Sequence, residues 1–411
     1  MSAFRSLWLI STPILAIVLT ASGESVPWEA STAGQTQVIW EATEPAQDKG
    51  QKGSNDDIFE KIYLKKIGTM IKSYGHVTLG TLALICNILT LIVLREQKSL
   101  SPFVYMKWIA ACDFLIGLMI TCSGVMVNRD FLRSHSALRE FTYWIQMPVY
   151  FLQSTFTSGA IYIAAALGMD RLIAVRYPLK RVIWCTTRRA HITSAILVMV
   201  GVIPNIQLVL RLESALFPDR TSGIMIPYFT YTQLGRDPTV TAFVQYSKFI
   251  LKQVIPLVVM SVTGTWTVVI IFKSRRFQKQ ANIQKTGNNL QCFGVTIGVI
   301  VLFIVTNITQ AIFALDTSIN GSNSMTFKSY SFSVSIIRDL TKLLPWANAS
   351  LNFVVYLLFN DTFRQTAIRL FCCRMKNRRN MPLSPTDTFE GMSLMSILAF
   401  AFVYCSCEYS K

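Results

Sequence analysis

The sequence predicts an all-α protein: a seven-transmembrane helix bundle with a short amphipathic eighth helix. Three observations predict it. Hydrophobic residues make up 52% of the 411-residue chain and charged residues only 15%, whereas a soluble domain carries about 25% charged residues. The apolar residues gather into seven blocks, each long enough for the roughly 20 helical residues that cross about 30 Å of hydrocarbon. Lysine and arginine gather in alternate loops, which is the pattern of a multi-pass membrane protein with basic loops inside.

Residues 1–23, MSAFRSLWLISTPILAIVLTASG, read as a signal peptide. They carry one early Arg5, an apolar stretch, then Ala21, Ser22 and Gly23, the order of a cleavable leader. A retained anchor is the alternative. The apolar core is short and broken by Ser11, Thr12 and Pro13, which favours cleavage. Residues 24–70 form a polar extracellular tail of mixed charge, a composition that resists folding.

The seven blocks lie at about 71–95, 103–127, 143–174, 190–211, 244–273, 290–315 and 331–359, giving a membrane domain over 71–359. An amphipathic helix over 360–372 and a cytoplasmic tail over 373–411 complete the chain. The tail contains an apolar segment, 392–404, too short to span.

Orientation comes from the loops. Arg95, Lys98 and Lys107 lie between blocks one and two, and Arg176, Lys180, Arg181, Arg188 and Arg189 between three and four. Lys273, Arg275, Arg276, Lys279 and Lys285 join five to six, and Arg364, Arg369, Arg374, Lys376, Arg378 and Arg379 follow seven. The opposite loops mix both signs. The N-terminus is therefore expected outside, the C-terminus in the cytoplasm and the chain in the plasma membrane. The formal net charge of +17 is largely this bias, so nucleic-acid binding does not follow from it.

Eight of the nine cysteines fall in spans or on the basic side. Cys122, near the outer end of block two, has no evident partner, and no extracellular disulfide is expected. Cys372 and Cys373 follow the amphipathic helix, where S-acylation is one reading and two ordinary thiols the other. His76, His135 and His191 lie on separate segments without metal-ligand spacing. No nucleophile–base arrangement is visible, so neither an enzyme nor a cofactor is expected.

Polar groups inside the blocks carry more information. Block one holds Asn87, block two Asp113, and block seven Asn348, Asn352 and Tyr356. One buried amide can be simple glue between helices. A carboxylate with amides on neighbouring spans reads as an interior polar network holding waters or an ion. Block three ends in GMDRLIAVRYPLKR, with Asp170 followed directly by Arg171. Such a pair is either a switch, closed here and opened by a better partner for the guanidinium, or an interfacial arginine that snorkels.

With these motifs in this order, the chain resembles the rhodopsin-like G-protein-coupled receptors over roughly residues 71–375. The carriers are Asn87, the AACD ending at Asp113, DRLIAVRYPL after block three, Pro204, Pro256, Phe303 and NFVVYLLFNDTFR. The NFxxY form, with Phe353 where proline is usual, is similar to invertebrate neuropeptide receptors of the FMRFamide kind. The resemblance implies a receptor that takes an extracellular ligand and activates a heterotrimeric G protein. Arg171 would leave Asp170 to meet the G protein, Tyr356 would reorient, and Asn87, Asp113, Asn348 and Asn352 would form the family's water and sodium network. Departures accompany it. Gln146 stands where the family has its bridging cysteine, and residues 212–243 hold none. TNIT at 306–309 replaces the helix-six Cys-Trp-x-Pro, Gly264 a tyrosine, Ser194 a tryptophan and Ala160 a network serine. Sodium is therefore the one ion considered, with a ligand missing. Alternatives are a non-signalling decoy or scaffold of the same fold and a seven-span transporter or channel.

The resemblance also bears on the ligand. Amine receptors of the family place an aspartate where this chain has the neutral Gln153, which disfavours a monoamine. Gln153, Thr157, Lys252, Arg338 and Asp339 are candidates to line an outer cavity, and charges of both signs suit a peptide. Lys252 and Arg338 read equally as snorkelling cations. Asn320-Gly-Ser322 is the glycosylation sequon placed outside the membrane.

Overall fold

A computed structural model describes residues 55–97, 100–219, 222–280, 297–306, 308, 312 and 343–379. The leader, Asn320, Arg338, Asp339 and the segment 392–404 lie outside the described residues.

The chain folds as helix α1 (Asn55–Arg95), α2 (Ser101–Val127), the short α3 (Arg129–Ser134), α4 (Ser136–Arg176) and α5 (Pro178–Trp184). A broken fourth span follows: α6 (Thr187–Val200), a 3₁₀ turn (Ile203–Asn205) and α7 (Ile206–Arg211). Strands β1 (Leu212–Pro218) and β2 (Met225–Tyr231) come next, then α8 (Gln233–Arg236) and the fifth span, α9 (Pro238–Phe249), a π turn (Ile250–Val254) and α10 (Ile255–Gln280). The remaining helices are α11 (Ile297–Thr306), α12 (Leu344–Phe359) and α13 (Asp361–Arg379). Five helices are long and apolar enough to cross a membrane, and Ile297–Thr306 and Leu344–Phe359 are shorter apolar pieces.

Helix α1 begins at Asn55 and so takes in the last part of the expected tail. Its 41 residues extend about 60 Å at 1.5 Å each, well beyond the hydrocarbon. No proline interrupts residues 55–74, Gly68 is the one glycine among them, and the stretch is rich in good helix formers such as Glu60, Leu64 and Lys65. Local helix-favouring chemistry outweighs the polar composition there.

Glycines set the tightest helix packing. A Cβ on Gly80 would lie 2.3 Å from Thr121 Oγ1, and one on Gly124 would lie 2.9 Å from the Ser73 carbonyl. The backbones of α1 and α2 thus meet almost directly, the small-residue packing that membrane helices use. Around them Ile109, Ile116, Ile120, Ile163, Leu167, Met260 and Tyr356 form one core. Pro204 explains the broken fourth span, since it removes a helical hydrogen bond and shapes the 3₁₀ turn.

The hairpin is absent from the expected all-helical layout. Strands β1 and β2 pair antiparallel from Leu212 opposite Tyr231 to Pro218 opposite Met225. Aromatic and β-branched residues enrich β2, MIPYFTY, which suits a strand. Asp219 N–H donates to the Ile224 carbonyl at 2.9 Å across the turn, and Gly223 takes a φ of 66°, which glycine adopts freely.

Candidate functional site

Two polar clusters lie in the bundle's interior and at one of its ends. In the interior, Asp113 on α2 is buried, and Asn352 on α12 donates through Nδ2 to its Oδ2 at 2.7 Å. Asn87 on α1 donates through Nδ2 to the carbonyls of Ala83 and Ala349, both at 2.8 Å. It ties α1 to the α12 backbone rather than to Asp113. Asn348 lines the same small void as Asp113 and Asn352, together with Thr157, Ala160 and Phe303. That void measures about 40 Å³, room for a water or two. Asn352 Oδ1 and Asn87 Oδ1 are buried without a protein partner, as is the Tyr356 hydroxyl.

Toward a sodium ion the void offers a partial set of oxygens. Asp113 presents a carboxylate of which one oxygen accepts from Asn352, Asn352 contributes its free Oδ1, Thr157 keeps lone pairs on the hydroxyl that donates to the Gln153 carbonyl at 2.7 Å, and Ala160 presents only a methyl. A hard cation takes several oxygens at once.

At the far end of α4, Asp170 and Arg171 are both buried and pair through Arg171 Nη2 and Asp170 Oδ2. Ser101, at the start of α2, joins them. Its hydroxyl donates to Asp170 Oδ2 at 3.0 Å and accepts from Arg171 Nη2 at 3.3 Å. Cys185 Sγ reaches the Asp170 carbonyl at 3.6 Å. Arg171 Nε is buried with no partner. The guanidinium is thus held by one carboxylate and one hydroxyl with donor capacity to spare. Low dielectric strengthens such contacts, and a competing acceptor could take the arginine over.

Tyr356 is fully buried and meets Phe363 edge-on at 5.8 Å, while Phe353 meets the same ring at 6.0 Å. Phe363 belongs to α13, and Asn360 caps that helix by accepting the Phe363 N–H at 3.1 Å. The aromatic trio fixes the corner between α12 and α13. Cys372 and Cys373 lie on α13, which continues past the expected end to Arg379; their side chains are outside the described detail.

The candidate ligand residues do not share one wall. Gln153 is buried and accepts from Ser123 Oγ of α2 at 3.2 Å. Thr157, four residues on and so on the same face of α4, turns into the Asp113 void. Lys252 lies elsewhere. Its ammonium donates to Ser154 Oγ at 2.8 Å and Asn205 Oδ1 at 3.0 Å. Neighbouring residues of a helix point about 100° apart, so Gln153 faces α2 while Ser154 faces the fourth and fifth spans. Asn205 completes this cluster, donating to Gly201 O at 2.6 Å and Ser158 Oγ at 3.0 Å. Sequence reasoning missed Ser101, Ser154, Asn205 and Phe363. Asn205 carried a usable signal, an amide inside an apolar block beside Pro204. Ser101 carried none, because its partners are about seventy residues away.

At the opposite end the hairpin is held without a covalent bond. Gln146 on α4 donates to the Tyr228 carbonyl over a long 3.5 Å. Arg133 on α3 pairs with the buried Asp219 at 2.9 Å, and that hydrogen bond holds the guanidinium above its usual pKa. Arg129 lies 5.6 Å over the Tyr228 ring, and Tyr150 packs on Phe229 at 5.6 Å. The described cysteines, Cys86, Cys112, Cys122 and Cys185, are free thiols.

A buried acid–arginine pair at the end of a long helix, an Asp–Asn network between spans and an aromatic corner leading to a further helix define a multi-pass receptor rather than an enzyme. The chain belongs to the family described as 7 transmembrane receptor (rhodopsin family), whose model matches residues 86–356, and it is a rhodopsin-like G-protein-coupled receptor of the seven-helix type. It is similar to the FMRFamide receptor of Drosophila melanogaster, 20% identical over 303 residues, which are 73% of this chain and 53% of that protein. It is also similar to the FMRFamide peptide receptor frpr-18 of Caenorhabditis elegans, 19% identical over 309 residues, 72% of this chain and 67% of that one. The match thus spans about half the length of the fly relative and two thirds of the worm one.

Proposed function

We propose that this chain is a plasma-membrane receptor, N-terminus outside and C-terminus in the cytoplasm, that binds an extracellular peptide and activates a heterotrimeric G protein. The names of its fly and worm relatives support the peptide. The single observation that carries signalling is the Arg171 guanidinium, buried against Asp170 and Ser101 with Nε unpartnered. A charged hydrogen bond is worth about 1.5–3 kcal/mol. Two such contacts lie on the scale of the roughly 5.5 kcal/mol of differential binding that moves a two-state equilibrium from 1:99 to 99:1. A ligand favouring the released state can therefore open the pair, and a G protein can supply new acceptors to Arg171.

The test is second-messenger release in cells expressing the full chain, challenged with pools of amidated neuropeptides and, separately, with serotonin, dopamine and octopamine. A peptide pool is expected to evoke the response and Arg171→Ala to remove it at unchanged surface expression. Activation by an amine alone overturns the peptide reading. Full activity of Arg171→Ala overturns the coupling reading.

A further inference from the structure

A cation inside a membrane-spanning bundle is costly unless another group answers its charge, which makes each one a pointer to function. Three collect near the hairpin end of the fourth and fifth spans. Arg211 ends α7, Lys248 lies in α9 and Lys252 in the π turn that follows. Lys248 stands within electrostatic reach of both Arg211 and Lys252. Among the described residues no carboxylate forms an ion pair with any of the three.

What surrounds them solvates charge without cancelling it. Lys252 donates only to the neutral oxygens of Ser154 and Asn205. Arg211 is buried, donates through Nη2 to Thr241 Oγ1 at 2.8 Å, and lies 5.7 Å over the Tyr231 ring. Its Nε is buried without a partner. The arginine is fixed from behind: its carbonyl accepts the Thr232 N–H at 3.0 Å, and a Cβ on Gly235 would lie 2.4 Å from that same oxygen. The π turn over Ile250–Val254 re-aims the fifth span at Lys252, and π turns inside helices favour functional positions.

We propose that Arg211, Lys248 and Lys252 form an anion-binding subsite for the ligand of this receptor, and that the group they take is a carboxylate. The proposal rests on the receptor reading above. The planar guanidinium suits a carboxylate's two oxygens, and the lysines add point charges. The carboxylate can belong to an acidic side chain or to a free C-terminus of a peptide. A peptide carrying only positive charge would be repelled here.

The test uses purified full-length receptor in lipid nanodiscs and three dipeptide probes at millimolar concentration. N-acetylglutamyl-phenylalaninamide carries a side-chain carboxylate, N-acetylglutaminyl-phenylalaninamide carries none, and N-acetylglutaminyl-phenylalanine carries a C-terminal one. The expected result is a rise of several degrees in the melting midpoint with one or both carboxylate probes and none with the neutral probe. Which of the two acts identifies the source. Lys248 makes no hydrogen bond among the described residues, so Lys248→Gln should keep the fold and cut the shift by half or more. Lys248→Gln with Arg211→Gln should abolish it. Equal shifts with all three probes, or no shift with any, overturn the subsite. If cells still answer a peptide pool in that case, the receptor reading stands while the subsite falls; silence in both assays removes both.

Discussion

The two ends of the bundle are secured in opposite ways. At the Asp170 end, two adjacent residues of one helix close on each other, and a single serine from α2 fastens them. At the hairpin end, four separate contacts from α3 and α4 share the work across nearly a hundred residues of chain, through Gln146, Arg133, Arg129 and Tyr150. One end is a single polar joint that a competitor can open at a stroke. The other is a distributed clamp in which no contact dominates. A switch belongs at the first kind of joint, and a scaffold that stays put while a ligand binds belongs at the second.

Four perturbations separate the two joints, the strongest first. Phe363→Ala removes a fully buried ring that meets both Tyr356 and Phe353. A loss of about 3–5 kcal/mol is expected, seen as a large drop in melting midpoint and surface expression. Asp219→Asn should cost less, about 1–2 kcal/mol, because Arg133 retains 29% exposure and solvent screens the pair. Its midpoint should fall by a few degrees while basal signalling stays unchanged. If basal signalling moved as much as stability, the ends would not be separable.

Ser101→Ala removes one charged hydrogen-bonding partner from the Asp170–Arg171 pair. At about 1.5 kcal/mol the released state gains roughly tenfold. Basal second-messenger output should rise by up to that factor with little change in melting. The smallest effect is none: external reductant, or Cys122→Ser, should leave the midpoint where it was, since Cys122 is a free thiol. Unfolding on reduction, reproduced by Cys122→Ser, would point instead to an intermolecular bridge from Cys122.

This contrast also explains what was legible in the sequence. The spans were, because lipid demands long apolar runs, and the Asp170–Arg171 joint was, because its two partners are neighbours in the chain. The Asp113–Asn352 bond could be anticipated from mid-span polarity alone, though its partners lie 239 residues apart. The hairpin was not anticipated. Its residues alternate weakly in burial, and Gln146, Asp219 and Arg133 have no local pattern that announces a meeting. Lys252 reads from the sequence as a polar wall residue, but its partners Ser154 and Asn205 depend on which faces of α4 and the broken fourth span turn together. The early start of α1 was hidden by composition, because charged residues that resist a core do not resist a helix.

In the proposed function, Arg171 released from Asp170 is the residue that meets the G protein. The most direct measurement is GTP exchange on a purified heterotrimeric G protein, catalysed by the receptor in nanodiscs, for wild type, Arg171→Ala, Arg171→Lys and Ser101→Ala. Exchange is expected from wild type, a rise with Ser101→Ala, a deep loss with Arg171→Lys because ammonium lacks the guanidinium fork, and none above background with Arg171→Ala. Exchange by Arg171→Ala at the wild-type rate would contradict that role for Arg171.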